Sequence, residues 1–139
     1  MKKRQSIKDA LAASKHILLI GEEGWYQEDA IAAIAKEMDF EFISAYACVH
    51  TTWYYFYEPT SAPWYPNWAI EAHCNPDKQY ILYLDHVQEC LDAEYENLRG
   101  FVETGRIGEY ILENVRVCAV YNVYDAPAKK NLNDFDFLL

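Results

Sequence analysis

Apolar positions in this chain fall into two kinds of pattern. Residues 16–20 (HILLI), 80–84 (YILYL) and 115–121 (VRVCAVY) are short runs with little or no alternation. Such runs suit strands buried on both faces, as in a parallel sheet. Residues 40–45 (FEFISA) alternate and read as a further strand. Elsewhere the period is helical. Ile31, Ile34, Ala35 and Met38 form one stripe of a helix over 28–38, and Leu91, Tyr95, Leu98 and Val102 mark another, started by Asp92 and stopped by Gly105. Residues 6–15 read as a short helix with Ser6 as its cap, and 106–114 as a hairpin. Strands alternating with helices predict an α/β domain with a central, mostly parallel sheet, right-handed crossovers and helices on both faces. The pattern lapses over 46–79, a long stretch rich in proline and aromatic residues that reads as an insertion or loop region.

At 139 residues the chain has the length of one domain spanning 1–139, enough to bury roughly two-thirds of its unfolded surface. Its net charge of −10 argues against a nucleic-acid backbone as partner, because twelve Lys and Arg make no basic stripe beside twenty-two carboxylates. Mimicry of DNA by an acidic face is left as the third reading of function, and stacking of a single strand on the aromatic segment is disfavoured because such grooves are usually basic. Cys48, Cys74, Cys90 and Cys118 show no C-x-x-C spacing. Cys118 lies in an apolar run and Cys90 just before a helix, so buried free thiols and a cytoplasmic location are expected. The opening MKKR is followed by no apolar run of signal-peptide length, and no stretch approaches the ~20 apolar residues of a membrane span.

Between the first strand and the second helix, residues 21–29 read GEEGWYQED. This is the place of a phosphate-binding loop, Gly-x-x-x-x-Gly-Lys-Ser/Thr, in which each conserved type has a task. The glycines let backbone N–H groups close on phosphates, the lysine supplies charge, and the hydroxyl holds Mg²⁺. Here Tyr26, Gln27 and Glu28 occupy the last three positions.

From residue 6 to 138 the order of segments resembles the AAA+ ATPases, most closely the MoxR-like branch. SIKDALAASKHILLIGEEG is similar to the helix, strand and phosphate loop that begin that domain. PDKQYILYLDHVQECLDAEYENLRGFVETGRIGEY resembles the Walker B block, NVRVCAVYN the sensor strand, and LNDFDF the segment that usually reads Leu-Asp-Arg-Phe with an arginine finger. The resemblance implies a three-layer sheet of strand order 5-1-4-3-2, with the fifth strand short or missing over 134–139. It also implies a vestigial nucleotide site. Gly21 and Gly24 match the first and middle glycines of the loop, while Tyr26, Gln27 and Glu28 replace its final glycine, lysine and hydroxyl residue. Asp85 matches the Walker B aspartate, but His86 stands at the catalytic glutamate. Asn122 matches the sensor asparagine, and Asp134 reverses the charge of the finger. With the chain stopping at Leu139, the helical lid and its second sensor arginine are expected to be absent.

Charge arithmetic points the same way. Glu22, Glu23, Glu28 and Asp29 are expected near the place for a triphosphate, with no Lys or Arg between Lys15 and Lys36. At ~5 Å and an effective dielectric of ~20, each carboxylate–phosphate pair repels by roughly 3 kcal/mol. A helix N-terminus returns only about 1–2 kcal/mol. Phosphoryl transfer depends almost wholly on positioning and electrostatics, so no ATP hydrolysis and no bound cofactor are expected.

Two other groupings invite a role. Trp53, Tyr54, Tyr55, Phe56, Tyr57, Trp64, Tyr65 and Trp68 concentrate rigid amphipathic rings of the kind protein interfaces favour; equally, they would cover the sheet from within. Cys48, His50, His73, Cys74 and His86 include metal-ligating types, but their spacing matches no zinc motif, and separate side chains are the simpler reading. The leading expectation is a catalytically inactive AAA+-like protein that acts through protein–protein contact or self-association, as a scaffold, assembly factor or regulator of an AAA+ partner. The alternative is an enzyme or nucleotide sensor with a remodelled pocket around Asp85, His86 and Asn122.

Overall fold

The computed structural model describes the backbone of residues 2–21, 25–49, 52–53, 65–122 and 137–138, and the side chains of 5–20, 28–49, 52–53 and 65–122. The elements in chain order begin with α1 (Lys2–Ala12), β1 (Ile17–Gly21), α2 (Trp25–Glu37) and β2 (Glu41–Tyr46). Then come α3 (Asn67–Cys74), β3 (Tyr80–Asp85), a 3-10 turn at Val87–Glu89 and α4 (Asp92–Thr104). A small hairpin of β4 (Arg106–Ile107) and β5 (Tyr110–Ile111) precedes β6 (Val115–Asn122) and β7 (Phe137–Leu138). The main sheet has the order β2-β3-β6-β1-β7, and every pairing in it is parallel. That is the implied 5-1-4-3-2 arrangement, with the last strand reduced to a two-residue pairing of Phe137 and Leu138 beside Ile17 and Leu18.

The unbroken apolar runs explain why three strands lie inside. In β3 the first five residues are buried, and β6 is buried at all but Arg116 and Asn122. Alternate side chains go to two separate cores. Ile17, Leu19, Ile81, Tyr83, Cys118 and Val120 pack against Ile7 and Leu11 of α1 and Ile31, Ile34 and Ala35 of α2. Leu18, Leu82, Leu84, Val117 and Ala119 face the other way, onto Trp68 of α3 and Leu98 and Phe101 of α4. Each fully buried Leu or Ile contributes about 1.5–3 kcal/mol by removal from water, so the central strands hold both helical layers.

Several boundaries differ from the periodicity. Helix α1 starts at Lys2 rather than at Ser6, and α2 starts at Trp25 rather than at Glu28. Helix α3 lies within the stretch read as aperiodic; its apolar face is only Trp68, Ala69 and Ala72, too short to show a period. In α4, Leu91 is the N-cap and is 71% exposed. Phe101 takes its place in the buried stripe with Tyr95, Leu98 and Val102. The cap itself follows from Glu94, whose carboxylate accepts the Leu91 N–H at 3.1 Å. Gly105 does stop the helix, in the left-handed conformation at φ 71° and with its N–H on the Phe101 carbonyl at 2.7 Å.

The first two helices end alike, without glycine. Ser14 (φ 61°) and Asp39 (φ 59°) occupy the left-handed position. Around Ser14, the N–H of Lys15 reaches the Ala10 carbonyl at 3.0 Å and that of Ser14 the Leu11 carbonyl at 3.1 Å. Phe40 and Asp39 repeat the pair on Ala35 and Lys36 at 2.8 and 3.2 Å. Both are Schellman endings that turn the chain directly into a strand.

Candidate functional site at the carboxyl edge of the sheet

In open parallel sheets, ligand sites form beyond the carboxyl ends of the strands. Three of the residues singled out in the sequence gather there. Gly21 ends β1 and is in register with Asn122, the last residue of β6. Asp85 ends β3, the next strand over, in register with Tyr46 of β2. Glu28 lies in the first turn of α2, partly buried. The backbone of Tyr26 and Gln27 lies in that same turn; their side chains, together with Gly24 and Asp134, are outside the described residues.

The end of β3 is tied to itself. One carboxylate oxygen of Asp85, Oδ1, accepts the N–H of His86 at 2.8 Å, and the Asp85 carbonyl accepts the N–H of Ala47 at 2.8 Å. His86 is left-handed (φ 62°, ψ 40°), a conformation that disfavours a side chain with a Cβ by roughly 1–2 kcal/mol. Its ring lies edge-on to Tyr46 at 5.0 Å. Its Nδ1 is buried, 3.5 Å from Asp85 Oδ1, and makes no hydrogen bond among the described residues. The His86 carbonyl then accepts the Glu89 N–H at 3.0 Å, starting the 3-10 turn.

That turn carries a residue the sequence reading missed. Gln88 is buried, and its Oε1 accepts the backbone N–H of Asn122 at 3.0 Å. It thereby closes the carboxyl end of β6 from above. A carboxamide three residues beyond a strand-ending Asp was the available signal. Nearby, the Cys48 thiol points at Glu89 Oε2 at 3.9 Å. Burial, and then the Glu89 carboxylate, push its pKa up, which favours the thiol over the thiolate. Cys118, fully enclosed between the sheet and α1–α2, is raised further by burial alone. Among the described residues no three His, Cys, Asp or Glu side chains group as a metal site. His73 instead stacks on Tyr110 at 3.9 Å, and His50 is outside the described residues.

The aromatic segment divides. Trp53 is 1% exposed and Trp68 5%; for these two the surface role is corrected to a packing one. Trp53 Nε1 donates to the Ala47 carbonyl at 3.0 Å, and Trp68 Nε1 to the Thr52 carbonyl at 2.6 Å. The two rings meet edge-on at 6.2 Å, and Trp68 meets Phe101 at 5.2 Å. A large ring with one polar handle suits this task, because the handle satisfies a backbone group that burial would otherwise orphan. Tyr65 is only partly buried. It stacks on Tyr110 at 3.8 Å, and its hydroxyl accepts the Glu109 N–H at 2.9 Å. Tyr54, Tyr55, Phe56, Tyr57 and Trp64 are outside the described residues.

No helix among the described residues is long and apolar enough to cross a membrane. No protein-family profile and no curated protein matches the chain. Solved structures do. The RuvB Holliday junction branch migration motor of Thermotoga maritima superposes with a TM-score of 0.62 at 14% identity, over 100% of this chain and 44% of that one. Two point mutants of the same protein give TM-scores of 0.62 and 0.63 at 17% identity, over 99% of this chain and 43% of theirs. The chain thus spans less than half the length of these neighbours, and at such identity the likeness concerns architecture. The architecture is that of an AAA+-like domain.

Proposed function

We propose that this chain is a pseudo-ATPase of AAA+-like fold, nearest to the MoxR-like branch, that works by binding a protein partner rather than by hydrolysing nucleotide. The observation carrying this reading is the end of β3. The frame keeps its strand order and brings Gly21, Asp85 and Asn122 to one edge. Yet Asp85 is bonded to its own backbone neighbour, and the next position holds a histidine folded onto Tyr46 where a catalytic carboxylate would be needed. Glu28 in the first turn of α2 adds negative charge where phosphates would need attraction. Calorimetry of the purified chain with Mg-ATP is the test. No heat of binding is expected up to about 1 mM nucleotide, and a saturable isotherm at micromolar concentration would overturn the proposal.

One observation favours the alternative of a remodelled pocket. A histidine held in a disfavoured backbone conformation, with a buried ring nitrogen beside a carboxylate, is the kind of strain that accumulates at working sites. Asp85→Ala separates the two readings. A remodelled enzyme or sensor loses turnover or ligand response, whereas a binding module keeps its partner.

A further inference from the structure

At the opposite edge of the sheet, where the parallel strands begin, Arg116 reaches out of β6 as the only charged side chain in that strand. Its Nε donates to the Leu11 carbonyl at 2.7 Å, one Nη to Gln79 Oε1, and the other Nη to Ser14 Oγ at 2.9 Å. The Phe40 ring lies 4.7 Å below the guanidinium carbon. All three acceptors are neutral. Among the described residues no carboxylate stands within ion-pair distance of Arg116. Its partial burial lowers its pKa, although a guanidinium stays charged in a protein. The carboxyl end of α1, touched through Leu11, offsets roughly half a charge. The rest of the positive charge has no carboxylate counterpart among the described residues.

Arg116 opens onto a cavity of about 720 Å³, which Ser14, Gln79, Asn114 and His73 also line. The hydrogen bonding of its walls is one-sided. Because Gln79 gives its oxygen to Arg116, its amide NH₂ is the end left to donate. Ser14 likewise accepts from Arg116 and keeps its hydroxyl hydrogen. The carbonyl of Ala72, on the wall, is drawn together with those of Asn75 and Lys78, which do not line the cavity, by Asn114 Nδ2 at 3.1, 3.1 and 3.0 Å. Of five guanidinium N–H groups, three are used. What remains next to Arg116 is donors around one positive charge. Glu113, the one carboxylate on the wall, is solvent-exposed, where its repulsion is screened.

We propose that this cavity binds an oxyanion, the carboxylate or phosphate of a small molecule, on the donors of Arg116, Gln79 and Ser14. The size lies within the range of small-molecule pockets, and a planar fork held by neutral acceptors is the arrangement that grips carboxylate and phosphate oxygens. The site is independent of the carboxyl edge and of any nucleotide reading placed there.

The test is titration of the ¹⁵N-labelled full chain with inorganic phosphate and, separately, with acetate, against sodium chloride at equal ionic strength. Saturable shifts are expected at the Arg116 Nε–H, the Gln79 side-chain amide and the Ser14 backbone. A stronger response to phosphate identifies a phosphate ligand, and a stronger response to acetate a carboxylate one. Gln79→Ala and Arg116→Lys should each weaken binding about tenfold, Arg116→Lys doing so with the charge kept. Gln79→Ala leaves both cores untouched, which keeps the experiment interpretable should Arg116→Lys unfold the chain. Shifts no larger than chloride produces, or binding unchanged in folded Gln79→Ala, would overturn the proposal.

Discussion

The two edges of the parallel sheet use their polar groups in opposite ways. At the carboxyl edge, Asp85 and Trp53 turn back on the local backbone, to the His86 N–H and the Ala47 carbonyl, while Gln88 reaches the Asn122 N–H 34 residues away. At the amino edge they reach across elements far apart in sequence. Arg116 links the end of α1 to the start of β3, and Asn114 gathers carbonyls from α3 and the loop after it. One edge is closed by two short-range bonds and the single longer one from Gln88. The other is built from long-range bonds, and it is the one left with surplus donors and charge. In this chain the edge that resembles a working site is therefore a different edge from the one whose chemistry is unbalanced.

Five substitutions or titrations sharpen or break that contrast. The largest effect is expected from Trp53→Ala, which empties a fully buried site and orphans the Ala47 carbonyl. Chemical denaturation should show a loss of about 3–5 kcal/mol, and an unchanged midpoint would remove Trp53 from the packing role. Next comes Asn114→Ala, which strips three carbonyls of one shared donor and should cost about 2–3 kcal/mol. Asp85→Ala should cost about 1 kcal/mol or less, since it removes one bond to a neighbouring N–H. If the two costs were reversed, the distinction between a long-range and a short-range edge would fail.

A pH titration probes the amino edge from a third side. Tyr80 begins β3 and donates its hydroxyl to Glu71 Oε2 at 2.5 Å. Burial, and then the bond and charge of Glu71, push its pKa up to about 12 from 10. The folded state holds that proton more tightly than the unfolded chain does. The resulting stabilisation is complete below pH 10 and disappears as the pH rises through about 12. Denaturation midpoints should fall across that window, and the Tyr80 component of the fall should be missing in Tyr80→Phe. The smallest effect belongs to His86→Gly, which relieves a left-handed histidine and should stabilise the chain by about 1 kcal/mol. A loss of stability there would mean that the histidine ring holds the carboxyl edge together.

How far the sequence could be read depended on the range of the signal. The continuous runs over β1, β3 and β6 declared buried parallel strands, because a strand covered on both faces has no polar positions to alternate. The stop of α4 at Gly105 was equally local. Helix α3 was hidden because eight residues with three buried side chains carry no period. Leu91 and Phe101 exchanged places because a capping Glu94 set the start of α4, and the stripe had to be counted from there. Of the site, Gly21, Asp85 and Asn122 were legible as strand ends. The role of Gln88, the fixing of Trp53 and Trp68 and the whole amino-edge cavity were not. Each depends on partners between 6 and 105 residues away, and only folding brings those together.

Ser14 sits where two demands on one residue diverge. As the left-handed residue that ends α1, it would be better replaced by glycine, which has no Cβ to disfavour φ 61°. As an acceptor for Arg116 on the cavity wall, it has a hydroxyl that glycine would remove. Ser14→Gly would thus gain stability while loosening Arg116. Selection for thermal robustness alone would drift toward glycine at this position, and a serine held there across close relatives would be a mark of selection on the cavity.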